Sequence, residues 1–373
     1  MRVLYDYQVF SWQKYGGISR YFYEIANHIS RMKGQDIEIF SPLYVNEYFL
    51  DCSNVKPRGV KTSNLLGMRR ISKLVNPIAS QIFIRPRLDV DIYHETYYSN
   101  LNNCPSSAKQ IITVYDMIHE RLPGSFKAQD KTHLAKADAV KRADHVICIS
   151  ESTRQDLIEI LEVPEEKTSV VYLGCSLTSR GSDGSKFIGG KNRPYILYVG
   201  QRGGYKNFEG LLRAYAGSHR LTNEFCIVCF GGGEFSGHEV TLMESLNLSS
   251  DHVAHIEGGD ETLACLYASA TVFVYPSLYE GFGIPPLEAM TFGCPVICSS
   301  SSSIPEVVGD AAGLFDPMKI EEMCAAIESV VFSAEKSKQL ALRGYERIKQ
   351  FSWEKCAQDT LNVYEKVLME KQK

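Results

Sequence analysis

Nowhere in its 373 residues does this sequence hold an apolar run approaching the ~20 residues that a membrane-spanning helix needs. Its opening, MRVLYDYQVF, has no stretch long enough for the hydrophobic core of a signal peptide, so a cytoplasmic protein is the expectation. A basic excess is also missing. Forty Lys and Arg against 44 Asp and Glu leave a net charge of −4, which argues against a dedicated nucleic-acid binder. Cysteines number 11, yet no second Cys/His pair at zinc spacing accompanies Cys226 and Cys229. Their C-x-x-C lies inside FCIVCF, an apolar strand-like run, and reads as reduced core thiols. No Asp-x-Asp motif follows a strand to hold a metal. The glycine run Gly231-Gly232-Gly233 lacks the sixth-position glycine of a dinucleotide fingerprint, which is Ser236 here, so no dehydrogenase signature survives.

What the sequence does contain is apolar mass for two cores, with 44% hydrophobic and 23% charged residues. Short β-rich runs alternate with helical patterns from end to end, the pattern of parallel sheets with crossover helices. Strands are expected at Arg2–Leu4, Ile37–Phe40, Asp91–His94, Gln110–Val114, His145–Ile149 and Ser169–Tyr172. A second set is expected at Tyr195–Val199, Phe225–Phe230, His252–Ile256, Thr271–Tyr275, Pro295–Cys298 and Gly313–Phe315. The Gly- and Ser-rich stretch Ser176–Pro194 reads as a linker between the two halves. The expected fold is therefore α/β, with Rossmann-like doubly wound domains at residues 1–178 and 192–353. Apolar residues at helical spacing over 354–373 predict an amphipathic helix that packs back on the first domain. Such an architecture also suits sugar-binding proteins, so it leaves function open.

Chemistry is concentrated in a few loops. After the strand Thr271–Tyr275 the chain reads Glu280-Gly281-Phe282-Gly283, and Pro285 and Pro286 then suit the first turn of a helix. Glu288 is expected in that first turn, where the helix dipole favours a carboxylate. Glycines let a backbone approach a ligand, free N–H groups bind anionic oxygens, and the two carboxylates can accept from sugar hydroxyls. The spacing alone would equally describe a capped helix with an acidic start. Following Tyr195–Val199, Asn207 is expected to cap a helix whose start carries Lys206, with Arg202 just upstream. Two cations there can neutralise a diphosphate leaving group, the task a metal performs elsewhere. In the first half, Gly16-Gly17 opens a helix and can admit a diphosphate or an acceptor close to the main chain. Asp116 and His119 follow the strand ending at Val114, where ligands of open α/β sheets gather; a capping Asp and a half-buried His would look the same.

The run Glu280-Gly-Phe-Gly-Ile-Pro-Pro-Leu-Glu288-Ala-Met resembles the donor-site signature of glycosyltransferase family 4, a retaining family with the GT-B architecture of two Rossmann-like domains facing a central cleft. The resemblance extends through SSSIPEVVGDAAGLFDP, YILYVGQRGGYKNFEGLL, YGGISRY and ADHVICISESTRQDL, and so covers nearly the whole chain. It implies that Glu280 binds hydroxyls of the transferred sugar, that the N–H groups of Phe282 and Gly283 face the sugar or diphosphate, and that Glu288 binds the ribose. It further implies that Lys206 and Arg202 face the diphosphate, that backbone around Gly258 meets the base, and that Gly17 borders the donor. Many relatives carry a histidine where this sequence has Tyr115, which leaves Asp116 and His119 to position the acceptor or the transferred sugar; His94 is a further candidate. Transfer would retain anomeric configuration and need no metal, with a nucleotide-sugar, GDP-mannose first, as donor. The overall style of YDYQVF…YGGISRYF and TVYDMIHE suggests elongation of a bacterial surface polysaccharide such as an O-antigen on a lipid carrier. A sugar phosphorylase, a nucleotide-sugar hydrolase or a non-catalytic sugar-binding homologue are the competing expectations.

From Cys52 to Leu88 there is no acid, whereas Lys56, Arg58, Lys61, Arg69, Arg70, Lys73, Arg85 and Arg87 are basic and interleave with Leu65, Leu66, Met68, Ile71, Leu74 and Val75. Residues 56–87 thus suit peripheral contact with an anionic membrane at its inner face. A solvated loop and helix would share the pattern.

Overall fold

A computed structural model describes residues 1–50, 55–63, 66–175 and 193–370. Most of the expected linker, Ser176–Pro194, lies outside the described residues, as do Cys52 and Leu65 of the basic stretch and 371–373 of the last helix. The chain forms two compact units, Met1–Gly174 with Trp353–Lys373, and Cys175–Ser352.

Among the described residues the first unit holds a seven-stranded parallel sheet. Its strands are β1 (Arg2–Tyr5), β2 (Asp36–Tyr44), β3 (Pro57–Lys61), β4 (Ile92–Glu95), β5 (Lys109–Val114), β6 (His145–Cys148) and β7 (Thr168–Val170), in the order β3-β2-β1-β4-β5-β6-β7. The second unit holds a six-stranded sheet of β8 (Tyr195–Val199), β9 (Cys226–Phe230), β10 (Val253–Ile256), β11 (Val272–Tyr275), β12 (Val296–Ser299) and β13 (Ala312–Phe315), in the order β10-β9-β8-β11-β12-β13. Central strands such as VFVY and VICS are apolar at every position or nearly so, because crossover helices cover both faces of the sheet. The expectation of two Rossmann-like domains is met. Strand order reverses between β1 and β4 in the first unit and between β8 and β11 in the second. Each reversal opens a crevice at the strands' carboxyl ends, and that is where such folds bind ligands.

β3 is the strand that sequence periodicity passes over. PRGVK is short, charged and exposed along most of its length, as befits an edge that must not recruit another chain. Gly59 is required there: a Cβ would lie 1.8 Å from the Ser41 carbonyl oxygen of β2.

The helix Leu66–Phe83 reverses the usual amphipathic arrangement. It packs on β2 through a polar spine of Ser72, Asn76 and Ser80, all buried. Asn76 donates to the Leu43 carbonyl and accepts from the Leu43 N–H, both at 2.9 Å, which replaces the bonds of a strand neighbour. Its apolar residues face solvent instead, with Leu74 69% and Ile78 60% exposed.

The C-terminal helix Trp353–Glu370 packs on the helix Gly17–Ile29 of the first unit. Tyr364 anchors it by hydrogen bonds to Tyr5 Oη (3.2 Å) and His94 Nδ1 (2.6 Å). His94 Nε2 is bonded to Thr113 Oγ1 at 2.9 Å, so both ring nitrogens are spent inside the core. Burial lowers its pKa to about 3, and the ring is neutral. His94 therefore serves packing, and its position does not match the site role considered from sequence.

Candidate active site

In the second unit the loops that follow β8 and β11 meet at the topological reversal and are stitched together. The Leu278 N–H donates to the Tyr205 carbonyl at 2.7 Å. Asn207 Nδ2 donates to the carbonyls of Pro276 (3.1 Å) and Pro317 (3.0 Å), joining the loops after β8, β11 and β13. This corrects the expectation of Asn207 as a side-chain cap: its own φ is +53°, and its amide makes no bond to the helix Phe208–Ala216.

At this seam Lys206 Nζ donates to Glu280 Oε1 at 2.6 Å and lies 3.4 Å from Tyr275 Oη. The ammonium also sits over the rings of Tyr205 (5.1 Å) and Tyr275 (5.5 Å). Both partners are largely buried, with side chains 18% and 10% exposed. Glu280 is held from the other side by serines that sequence reasoning overlooked. Its N–H donates to Ser302 Oγ at 2.8 Å, and the Ser303 hydroxyl donates to the carbonyls of Glu280 (2.8 Å) and Phe282 (3.0 Å). Ser303 is fully buried, so this loop geometry is fixed. Phe282 turns its ring into the core against Phe351, so the ring itself is not offered to a ligand.

Gly283 stands before the helix Ile284–Thr291 at φ +104°, a conformation that side chains rarely adopt. Glu288 is the fifth residue of that helix, one position beyond the first turn expected from sequence. Its Oε2 accepts from Tyr267 Oη at 3.3 Å. The helix begins at Ile284, one residue ahead of Pro285, and that start puts Glu288 at the fifth position.

Arg202, expected beside Lys206 on the diphosphate, is committed elsewhere. It pairs with Glu239 at 2.6 Å and donates to the carbonyls of Gly231 (2.7 Å), Gly233 (2.7 Å) and Glu234 (2.8 Å). Its guanidinium is the internal strut of the 231–234 loop, whose three glycines all have positive φ. A buried Arg with four acceptors has no fork left for a phosphate. Gly258 precedes the helix Asp260–Ser269 in an exposed loop, and a Cβ there would clash with Thr262 Oγ1.

In the first unit Asp116 follows β5. Its Oδ1 accepts from the Ile118 N–H at 3.0 Å. The organising group is Lys136, fully buried and unmarked in the sequence, where it sits in a polar helix. Its Nζ donates to Glu120 Oε2 and to the Asp116 carbonyl, both at 2.8 Å, and lies 3.8 Å from Asp116 Oδ1. His119 points another way: it stacks on Phe126 at 3.8 Å, with Nε2 3.5 Å from Asp130 Oδ2 and Nδ1 buried without a hydrogen-bond partner among the described residues. Asp116 and His119 thus neighbour each other in sequence but share no hydrogen bond. Tyr115 is buried, donating from Oη to the Thr96 carbonyl at 3.1 Å. Gly17 begins the helix Gly17–Ile29, and a Cβ there would meet no neighbouring group within 4 Å.

Among the described residues no group of three or more His, Cys, Asp or Glu is placed to hold a metal. No helix of these residues is long and apolar enough to cross a membrane.

The family model described as glycosyl transferases group 1 matches residues 185–347, and that described as glycosyltransferase family 4 matches residues 15–179. The chain is 32% identical over 237 residues to O-antigen chain mannosyltransferase B of Escherichia coli; the match covers 61% of this chain and 62% of that one, under two thirds of its length. Sucrose-phosphate synthase from Thermosynechococcus elongatus superposes with a TM-score of 0.73 at 20% identity, covering 99% of each chain. HepE of Anabaena, solved in complex with UDP and glucose, gives 0.73 at 17% identity over 97% of this chain and 99% of that one. These likenesses establish a shared fold.

Proposed function

From the premise that the chain belongs to the group 1 and family 4 glycosyltransferases, we propose that it transfers a hexose, mannose first, from a nucleotide-sugar to a growing lipid-linked glycan of a bacterial surface polysaccharide such as an O-antigen. One observation carries this reading: the Lys206–Glu280 pair, locked at the topological reversal of the second unit. A cation and a carboxylate 2.6 Å apart offer a diphosphate and a sugar hydroxyl what each requires. The mannosyl donor follows the name of the E. coli relative, and a nucleotide-linked donor is supported by the UDP bound by HepE, with GDP-mannose first and a UDP- or dTDP-sugar as the alternative.

In the proposed reaction Lys206 takes up the charge that develops on the leaving diphosphate, which makes a metal unnecessary. Glu280 exchanges part of its bond with Lys206 for hydroxyls of the transferred sugar. The N–H groups of Phe282 and Gly283 border the same oxygens, Glu288 receives the ribose, and backbone at Gly258 meets the base. Asp116 and His119 position the acceptor or the transferred sugar, and Gly17 borders the donor. The acceptor hydroxyl attacks from the face that the diphosphate leaves, a phosphate oxygen takes its proton, and configuration is retained. Neither carboxylate acts as a covalent nucleophile, unlike the pair of a retaining hydrolase.

The exposed apolar face of the helix Leu66–Phe83, in a stretch without acids, supports peripheral docking at the cytoplasmic face of an anionic membrane. A thermal-shift panel of GDP-, UDP-, dTDP- and ADP-sugars on wild type and Lys206→Ala tests the donor site. Stabilisation by one nucleotide series, lost in the variant, is expected. No shift with any donor at millimolar concentration would remove the transferase reading, and release of free sugar to water without an acceptor would turn it into a hydrolase.

A further inference from the structure

The first unit has a reversal of its own, between β1 and β4, and a cavity of about 840 Å³ opens beside it. It is lined by the start of the chain after β1, by Tyr97 and Tyr98 after β4, and by one flank of the helix Leu66–Phe83. Three of its lining residues, Arg69, Arg70 and Lys73, are cationic, and none is acidic. Like charges within one helical turn repel each other. Arg70 and Lys73 meet no carboxylate among the described residues, so these two cations keep an unbalanced positive field.

The remaining lining is aromatic and amide in character. Trp12, 40% exposed, stands edge-on to Tyr97 at 5.3 Å, so the pair presents an aromatic corner to the cavity. Gln8 is held in one orientation, its Nε2 donating to Asp6 Oδ2 (2.8 Å) and to the Tyr97 carbonyl (2.7 Å). Both amide hydrogens are spent, and Oε1 is the acceptor that remains for a hydroxyl. Asp6 is itself buried and fixed by the Thr96 N–H at 3.0 Å. A ring platform, a pre-oriented acceptor and a cation cluster within one cavity of ligand size make a site of mixed chemistry.

We propose that this cavity binds the glycosyl phosphate part of the acceptor: a sugar ring against Trp12 with its hydroxyl on Gln8 Oε1, and the attached phosphate or diphosphate on Arg70 and Lys73. This inference rests on the glycosyl-transfer reading and adds to it that the acceptor is recognised through a phosphate held by named side chains. The phosphate can come from a soluble sugar phosphate or from a lipid diphosphate carrier. The helix that supplies the cations also carries the exposed apolar face, which places a lipid-borne phosphate and its binding groups on one element.

The test is calorimetric titration of the full chain with α-mannose 1-phosphate and with methyl α-mannoside, in wild type, Arg70→Ala/Lys73→Ala and Trp12→Ala. A parallel arm uses neutral phosphatidylcholine vesicles carrying a polyprenyl-diphosphate-linked sugar. In wild type at least one phosphorylated ligand should bind tenfold or more tightly than methyl α-mannoside. The double variant should lose that preference while methyl α-mannoside binding stays within twofold, and Trp12→Ala should weaken both ligand types. Preference in the soluble arm identifies a sugar phosphate; preference confined to the vesicle arm identifies the lipid carrier. Equal binding of phosphorylated and plain sugar in both arms, or a preference that survives in the double variant, overturns the proposal. GDP titrated into the same proteins keeps the two readings apart. It should bind all three equally, and absence of GDP-mannose and GDP binding in wild type would count against the donor assignment without touching the acceptor comparison.

Discussion

Replacing Lys206 by Met should do two separable things, and the geometry around it sets the size of each. At an effective dielectric of about 20, unit charges 2.6 Å apart attract by about 6 kcal/mol. Desolvation of both partners and residual solvent access, 18% for Lys206 and 10% for Glu280, reduce the net cost of removing the cation to about 2 kcal/mol. That cost is the price of leaving Glu280 charged and without its partner. For a unit of this size it corresponds to a fall of about 4–8 °C in Tm. Loss of the cation at the diphosphate should separately lower kcat/KM by about 10²–10³. The double variant Lys206→Met/Glu280→Gln removes the stranded charge, so its Tm should return to within about 2 °C of wild type while kcat/KM stays low. Differential scanning calorimetry and initial rates of nucleoside diphosphate release measure both. A double variant as unstable as the single one would refute the ion-pair argument. Lys206→Met turning over within threefold of wild type would refute the assignment of the leaving-group cation.

Arg202→Lys should free the 231–234 loop, since one ammonium cannot serve Glu239 and three carbonyls together. Amide exchange over Gly231–Glu234 should accelerate at least tenfold and stability drop by about 2 kcal/mol; unchanged exchange would show that the strut is dispensable. Gly283→Ala should cost about 1–3 kcal/mol through backbone strain alone, because a Cβ there meets only ordinary contacts at 3.8 Å from Tyr275 and 3.9 Å from Ile304. Urea unfolding of this variant reads the cost, and a loss below about 0.5 kcal/mol would contradict it. The folded pKa of His94, about 3, lies below the ~6.5 of an unfolded histidine, so the unfolded chain binds more protons between these values. Its contribution is complete above about pH 6.5 and is lost as pH falls toward 3, by about 3 kcal/mol between pH 7 and 4.5. In His94→Gln the difference in stability between those two pH values should shrink by a comparable amount in urea titrations; an unchanged difference would show that His94 is not the proton acceptor.

Local apolar periodicity determined much of this protein by itself. Runs such as YILYV and VFVY declare buried parallel strands because both of their faces must be covered, and the alternation of strands with helices leaves few topologies other than doubly wound sheets. Glu280, Gly283 and Lys206 were legible too, since they stand in loops directly after strands, where the ends of neighbouring strands bring them together. The edge strand Pro57–Lys61 was not, for an edge is defined by what it lacks on one side, and its residues carry no alternation. Tertiary structure alone decided which charges were free. Arg202 and Lys206 look alike in sequence, but one is consumed by carbonyls about 30 residues away and the other by a carboxylate 74 residues away. Lys136 sits in a polar helix with the look of a solvated lysine and is fully buried against Glu120. The helix Leu66–Phe83 carries an ordinary amphipathic pattern, yet it buries the polar spine because Asn76 satisfies β2 where no strand does. Burial of an apolar run follows from the run itself, whereas the partner of a charge or an amide depends on which distant backbone groups the fold leaves unpaired, and that is settled only when the sheets close.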